Sequence, residues 1–549
     1  MAHQKFKGAL SSAVLPFVST LQTRTVVMPQ LDVNVRTPRN PNSPEGYTDY
    51  SIPQVLYCEN AVPTTEGFQS VYYQEMLVGN ASGFDQAIVL RDADENNFLL
   101  SPAGGRNFIY SPLGAASWVQ KTFMSLDPAK LITRAYVNGR TFVCFEGRGV
   151  WEYDTAAGTF NKQTLIGITD AEVRGIGNSS NYLLAFTQLE VHWSSLVDPL
   201  DFEPSLQTGA GFAIPQDVKA RITAVLGIAG GYIVYTAKNA VAGVYTNNSR
   251  APFTFKEVNN AGGIATYEQV TSEQNAGHHY AWTTSGLQRI TIQGAEPISA
   301  EVNDFLAGRL WESYSFATHT LTQTYATSPE FQVKLSYIAS RWLLISYNVT
   351  PVLGNYQYAL VYDTILKRWG KLKLDHVDVF SYPFASSPSP VSYEELAPRS
   401  YAALAPNSYA DLVSWEATDP QSKSSIALLQ ADGTIKLLQM TYNKDQPCES
   451  VLIFGKFQLT RASMMTLQAL ELESVWPGQD LGNPEYKVFA SLSLNGKTPQ
   501  PPVELALLDS VPGYSRHAKR MTGVNFNIIV EGTSALTAYV LEVNQSGDR

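Results

Sequence analysis

Residues 150–160 read Val-Trp-Glu-Tyr153-Asp154-Thr155-Ala-Ala-Gly-Thr-Phe160, and residues 360–369 read Leu-Val-Tyr362-Asp363-Thr364-Ile-Leu-Lys-Arg-Trp369. Each stretch joins an apolar strand to a Tyr-Asp-Thr turn, with an aromatic residue seven positions after the tyrosine. The aspartate is placed to accept backbone N–H groups across the turn, which returns the second aromatic to the face of the first. Trp369, like Phe160, is then a cross-strand partner of its tyrosine. A sheet unit reused along a long chain predicts a radial β architecture, the kind that binds or scaffolds.

Composition supports this. A chain of 549 residues exceeds one ordinary core, so two or three domains, or one large repeat domain with appendages, are expected. The 29 Tyr, 24 Phe and 9 Trp, with 38 Gly, 30 Pro and only 16% charged residues, favour strands and turns over helices. A net charge of -10 argues against a nucleic-acid-coating role, which needs clustered Lys and Arg, while leaving room for a wall that repels DNA. Cys58, Cys144 and Cys448 are too scattered for a disulfide framework or a zinc site, and read as buried thiols. No run of 18 apolar residues predicts membrane insertion. Near the N-terminus, Lys5 and Lys7 precede an apolar stretch, Ala9 to Val18, that imitates a signal peptide. Two serines and Pro16 interrupt it, and a docking arm or short helix is expected instead.

Residues 21–75 alternate extended pieces with Pro-, Asn- and Ser-rich turns and read as an arm that later supplies a closing strand. Regular blocks then run from Ile88 to Trp118, Ile132 to Phe160, Val173 to Phe202, Ile222 to Phe255, Tyr267 to Ile292, Phe331 to Trp369 and Ser414 to Leu438. Within them, apolar runs such as Thr141 to Phe145, Asn181 to Phe186, Tyr232 to Tyr235 and Trp342 to Tyr347 follow polar or glycine turns. They read as central strands buried on both faces. Two stretches break the rhythm. Residues 299–330 open on Ser299 with early acids, which suits a short helix, and residues 375–423 read as an excursion between blades, leaving the Ser414 block as a possible half-blade. After residue 450, long alternating strands suggest a terminal β-sandwich.

Residues 170–306 carry a resemblance. Arg174-Gly-Ile-Gly, then Val191-His-Trp193-Ser-Ser-Leu-Val-Asp198-Pro199-Leu-Asp201-Phe202-Glu-Pro204 and Thr208-Gly-Ala-Gly211 come first. Gly227-Ile-Ala-Gly-Gly231-Tyr-Ile-Val-Tyr235, Pro252-Phe253-Thr-Phe255, Tyr280-Ala-Trp282 and Glu301-Val-Asn303-Asp304-Phe305 follow in that order. The run is similar to the tail nozzle proteins of short-tailed bacteriophages, and Leu360 to Lys371 resembles that family's closing blade. The resemblance implies a β-propeller in a virion tail protein made in the host cytoplasm. It also implies a homohexameric ring below the head-to-tail adaptor protein, conducting viral double-stranded DNA during genome ejection and contacting tail fibre or tip proteins.

Other constellations are weak. His278 and His279 point to opposite faces of a strand and cannot chelate one metal together. A hydrolase would need facing carboxylates; of the candidates Asp198, Asp201, Asp304 and Asp363, capping in turns explains Asp198, Asp201 and Asp363. Gly209-Ala-Gly211 and Gly227 to Gly231 lack the Lys-Ser/Thr of a phosphate loop and read as turns. Arg516-His517-Ala-Lys519-Arg520, the one local basic cluster, reads as a solvated loop. The expectation is therefore all-β: an N-terminal arm with a closing strand over 1–75, a propeller of six or seven blades over 76–445, and a sandwich or platform domain over 446–549. No enzymatic activity, cofactor or metal is expected. Glu301 and Asp304 are the candidates for lining a conducting channel, and Tyr153, Asp154, Tyr362, Asp363 and Trp369 are the structural turn residues. The alternative function is a carbohydrate-binding or depolymerising propeller at the tail tip.

Overall fold

The computed structural model of the chain describes residues 3–9, 26–27, 55–65, 67–91, 97–110, 117–121, 131–179, 181–248, 251–272, 277–298, 311–324, 333–348, 355–382, 426–439, 449–458, 463–474, 486–494, 500–511 and 513–548. These residues are all-β, with one 3-10 turn at Tyr267–Gln269. Six four-stranded antiparallel sheets, and four strands of a larger sheet, form the blades of a propeller. The first strands of the blades are, in order, Ile88–Arg91, Ile132–Val137, Gly175–Ser179, Ile222–Ile228, Val270–Thr271, Val333–Ile338 and Asp378–Ser381. Blades 1 and 2, 2 and 3, 3 and 4, 5 and 6, 6 and 7, and 7 and 1 bring these first strands side by side, so they are the inner ring around an axis.

Alternation along the second strand of each blade builds the ring. Leu100 packs with Ile132 and Val143 between blades 1 and 2, and Cys144 with Ile176 and Leu183 between 2 and 3. Leu184 meets Val225 and Val234 between 3 and 4, and Ile233 meets Ala281 between 4 and 5. Tyr280 meets Leu343 between 5 and 6, Leu344 meets Leu428 between 6 and 7, and Ala427 meets Leu99 between 7 and 1. Neighbouring residues of one strand thus serve opposite interfaces, which favours apolar residues at consecutive central positions. The seventh interface joins the last blade to the first, and the circle is closed.

Closure uses a strand from far upstream. Tyr72–Leu77 pairs antiparallel with Ile435–Gln439 as the outer strand of blade 7, removing a sheet edge that would otherwise be free to aggregate. Two expectations are corrected at this blade. Residues 375–423 are not wholly an excursion, because the outer strand of blade 6 runs to His376 and Asp378–Ser381 is the inner strand of blade 7. The Ser414 block is not a half-blade, since Ile426–Leu429 and Ile435–Gln439 are completed by Asp378–Ser381 on one side and Tyr72–Leu77 on the other. Gly227 is also no turn residue. It lies in the inner strand of blade 4, where an added Cβ would sit 2.0 Å from the Asn178 carbonyl oxygen, so glycine allows two inner strands to touch backbone to backbone.

The C-terminal strands make two sheets over one core. Val451–Gln458, Asn525–Gly532 and Tyr486–Ser493 form one layer, and Ser463–Ser474, Ala535–Asp548 and Tyr514–Gly523 the other. Phe454, Phe526, Ile528 and Val530 face Leu467, Leu470, Tyr539 and Leu541 between them. N-terminal segments complete both layers: His3–Ala9 pairs with Ala538 to Asn544, and Val55–Glu59 with Val451 to Phe454. The strand at 3–9 stands where a docking arm or short helix was expected. Short strands Ala61–Pro63 and Phe68–Ser70 then carry the sheet of blade 6 directly into this terminal unit. A buried network locks the seam. Lys371 Nζ donates to the Tyr57 hydroxyl (3.0 Å) and lies over the Tyr57 and Tyr358 rings, while Tyr57 donates to Glu59 (2.6 Å), which also pairs with Lys373 (3.0 Å). The hairpin Trp311–Ser315 and Thr320–Thr324 docks through Tyr314 and His319, both on Glu531. The helix expected from Ser299 lies outside the described residues.

Candidate functional site

The inner strands enclose a cavity of about 290 Å³ on the axis, bordered by blades 1 to 4 and the Tyr267 turn. Arg134 reaches it because it occupies the one exposed position of an inner strand whose Ile132, Thr133, Ala135 and Val137 are buried. Its Nη1 donates to the Val89 carbonyl. Arg134 is exposed to solvent through the channel, with the inner strands crowded around it. Desolvation by that crowding pulls its pKa below the ordinary arginine value, with Tyr267 and Asp378 opposing. Arg91, at the end of the inner strand of blade 1, lines the same space with its guanidinium 6.0 Å from the centre of the Tyr136 ring.

Across the axis, blades 5, 6, 7 and 1 share an ionic cluster, largely buried at Lys334 and Asp378 and open to solvent at Glu268. Lys334 from blade 6 pairs with Asp378 of blade 7 (3.0 Å) and Glu268 of the 3-10 turn (3.8 Å). Asp378 also accepts the Ala87 N–H (2.7 Å), tying the strand before blade 1 to blade 7. Asp85 stands beside them, and among the described residues no hydrogen bond reaches its Oδ1. Burial pushes the Asp85 carboxyl up to about 6, helped by Asp378 and opposed by Lys334. Burial lowers the Lys334 ammonium, yet Asp378, Glu268 and Asp85 together hold it above its usual value.

The turn residues occupy the geometry their spacing required. Tyr153 pairs across the strand with Phe160 and Tyr362 with Trp369, with ring centres 5.1 and 4.6 Å apart. Asp154 accepts the Ala157 N–H (3.0 Å), and Asp363 accepts those of Ile365 (2.9 Å) and Leu366 (3.0 Å). Asp363 differs in being 0% exposed and ion-paired with Arg341 (2.7 Å). Asp198 and Asp201 likewise accept backbone N–H groups, from Leu200 and Glu203, at 3.0 Å each. His279 is buried between the Tyr235 hydroxyl and the Gly227 carbonyl, 2.9 Å from each, while His278 lies toward Arg289 and Tyr280. Arg516 to Arg520 is not a solvated loop: it lies within the strand Tyr514–Gly523, where Arg516 meets Glu542 (2.9 Å) and His517 is buried. Glu301 and Asp304 fall outside the described residues. The axial cations and the ionic cluster were missed from the sequence. Their one signal is a charged residue interrupting the apolar alternation of an inner strand, as Arg134 and Lys334 do.

Blade 3 carries a second feature on its outer side. Val197 (86% exposed) and Leu206 (70%) project from the loop ahead of the outer strand, with Leu196, Phe212, Ile214 and Ile166 also exposed. The loop is ordered by backbone bonds from Leu196 to Thr208, Ser195 to Asp201 and Ile166 to Leu200, so the apolar side chains are held out by structure.

No protein-family model and no curated protein matches this chain. Among solved structures, a chain from the crystal structure of the mitotic checkpoint complex is similar over 68% of this chain and 95% of that one, at 10% identity and a TM-score of 0.33.

Proposed function

We propose that the chain is a structural subunit of a bacteriophage tail nozzle, forming a homohexameric ring that continues the portal-adaptor channel and conducts the genome during ejection. The observation that carries this reading is the ordered apolar surface of blade 3. It coincides with Ser194 to Leu206, the densest part of the resemblance to tail nozzle proteins, and exposed apolar patches of this kind mark association surfaces. A ring is also needed on grounds of size. The propeller's own axial cavity, about 290 Å³, is the size of a small-ligand pocket, so a duplex must pass through a hole enclosed between copies. With -10 on each copy, the assembled ring repels phosphates rather than holding them. The depolymerase alternative rests on facing carboxylates, and Asp198, Asp201 and Asp363 are each engaged in turns.

Light scattering and negative-stain microscopy of the purified chain, alone and with its adaptor, test the proposal. The expected result is a six-fold ring with a central hole, converted to monomers by Val197→Asp with Leu206→Asp while the circular dichroism spectrum stays β-type. A chain that stays monomeric in both settings, or a trimer with saccharide-cleaving activity, would overturn it.

A further inference from the structure

The axial cavity holds two arginines that the ring reading does not use. Arg134 and Arg91 both border it, together with Tyr136, Asn178, Tyr267 and Ser272. A guanidinium offers five N–H donors in a planar fork. Among the described residues, the hydrogen-bond acceptor for Arg134 is the Val89 carbonyl, and the remaining donors are left to the cavity. The carboxylate that acts on it most strongly, Asp378, is already occupied by Lys334 (3.0 Å) and by the Ala87 (2.7 Å) and Val379 (2.8 Å) N–H groups. Glu268 is drawn to the same lysine. Arg91 makes a ring contact with Tyr136, and no ion pair with a described carboxylate. Both guanidiniums are open to the cavity, and arginine's fork matches a carboxylate or phosphate in two parallel bonds.

We propose that the channel between blades 1 to 4 is a binding site for a small oxyanion, a carboxylate or phosphate group, gripped by Arg134 with Arg91 as the second charge. Asn178, Ser272 and the Tyr267 hydroxyl supply neutral polar contacts around it. A volume near 290 Å³ lies at the lower end of ligand pockets, which admits a molecule of monosaccharide size and excludes a polymer.

Isothermal titration calorimetry on the full chain at fixed ionic strength tests this, with inorganic phosphate and glucuronate as probes and glucose as the uncharged control. Saturable binding of phosphate or glucuronate is expected, weakened about tenfold or more by Arg134→Gln and less by Arg91→Gln. The tighter of the two probes separates a phosphoryl ligand from an acidic sugar. Arg134→Lys keeps the charge but loses the fork, so it too should bind more weakly; it serves where Arg134→Gln fails to fold. Absence of saturable heat with both anions, equal binding by the Arg134 variants, or glucose binding as well as glucuronate would each overturn the site. Ring assembly is measured separately by light scattering, so either proposal can fail without the other.

Discussion

Asp154 and Asp363 occupy the same position of the same hairpin, yet their surroundings differ. Asp154 is partly exposed and caps its turn through the Ala157 N–H, with Asn161 the other partner. Asp363 caps two N–H groups, is fully buried, and neutralises Arg341, whose guanidinium also covers the Trp342 ring at 4.6 Å. Removing the first forfeits a cap, a cost of about 1 kcal/mol. Removing the second also strands a half-buried arginine, which raises the cost to about 3–5 kcal/mol. Chemical denaturation of Asp154→Ala and Asp363→Ala should therefore show the second losing several times more stability. Equal losses would mean that the Arg341 pair contributes nothing. The repeat made both turns legible from residue spacing, but burial was not in the motif. A cost near that of an ordinary cap follows from the turn alone, and only the position of Arg341 on the preceding hairpin changes it.

At the level of strands, legibility followed how many constraints each strand obeys. The second strands of the blades serve two interfaces at once, so their central positions are apolar on both faces, and Leu183-Leu184 or Leu343-Leu344 announce themselves. Inner strands near the axis are short and crowded, with glycines and charges in place of alternation, and the inner strand of blade 7 was lost inside a stretch read as an excursion. The same crowding places Asp85, Asp378, Glu268 and Lys334 together from four separate blocks, a juxtaposition that no local pattern encodes. Three carboxylates share one lysine there, so two negative charges are in excess, and the one on Asp85 is poorly solvated. Asp85→Asn should therefore stabilise the ring at pH 7 by about 1–3 kcal/mol, read as a higher melting temperature. Lys334→Met should do the opposite, because it leaves the carboxylates with no counter-charge. A lower melting temperature for Asp85→Asn would show that its charge is needed at the junction of blades 7 and 1.

Seen whole, the molecule is a closed ring fused through blade 6 to a two-layer unit, and buried histidines in both parts set its response to acid. His279 joins blades 4 and 5, His376 holds Ser346 within blade 6, and His517 holds Ser515 in the terminal sheet. Burial lowers each of the three to about 4, opposed in turn by bonds to the Gly227, Leu374 and Leu505 carbonyls. Between about 4 and 6.5 the unfolded chain binds these protons and the folded chain does not, so stability is present above 6.5 and is lost as pH falls through that window. Asp85 acts in the other sense: its folded value of about 6 lies above the 3.8 of the unfolded group, so the folded chain takes up its proton first and gains stability as pH falls from 6 toward 4. Each tenfold difference in proton affinity is about 1.4 kcal/mol, and three histidines shifted in one direction outweigh one aspartate shifted in the other. Melting temperature should therefore fall steadily from pH 6.5 to 4, and His279→Gln should flatten the slope while Asp85→Asn steepens it. A melting temperature that stays level or rises over that interval would mean that the three imidazoles reach water in the folded chain, and that the contacts binding blade 4 to blade 5 are looser than the hydrogen bonds of His279 require.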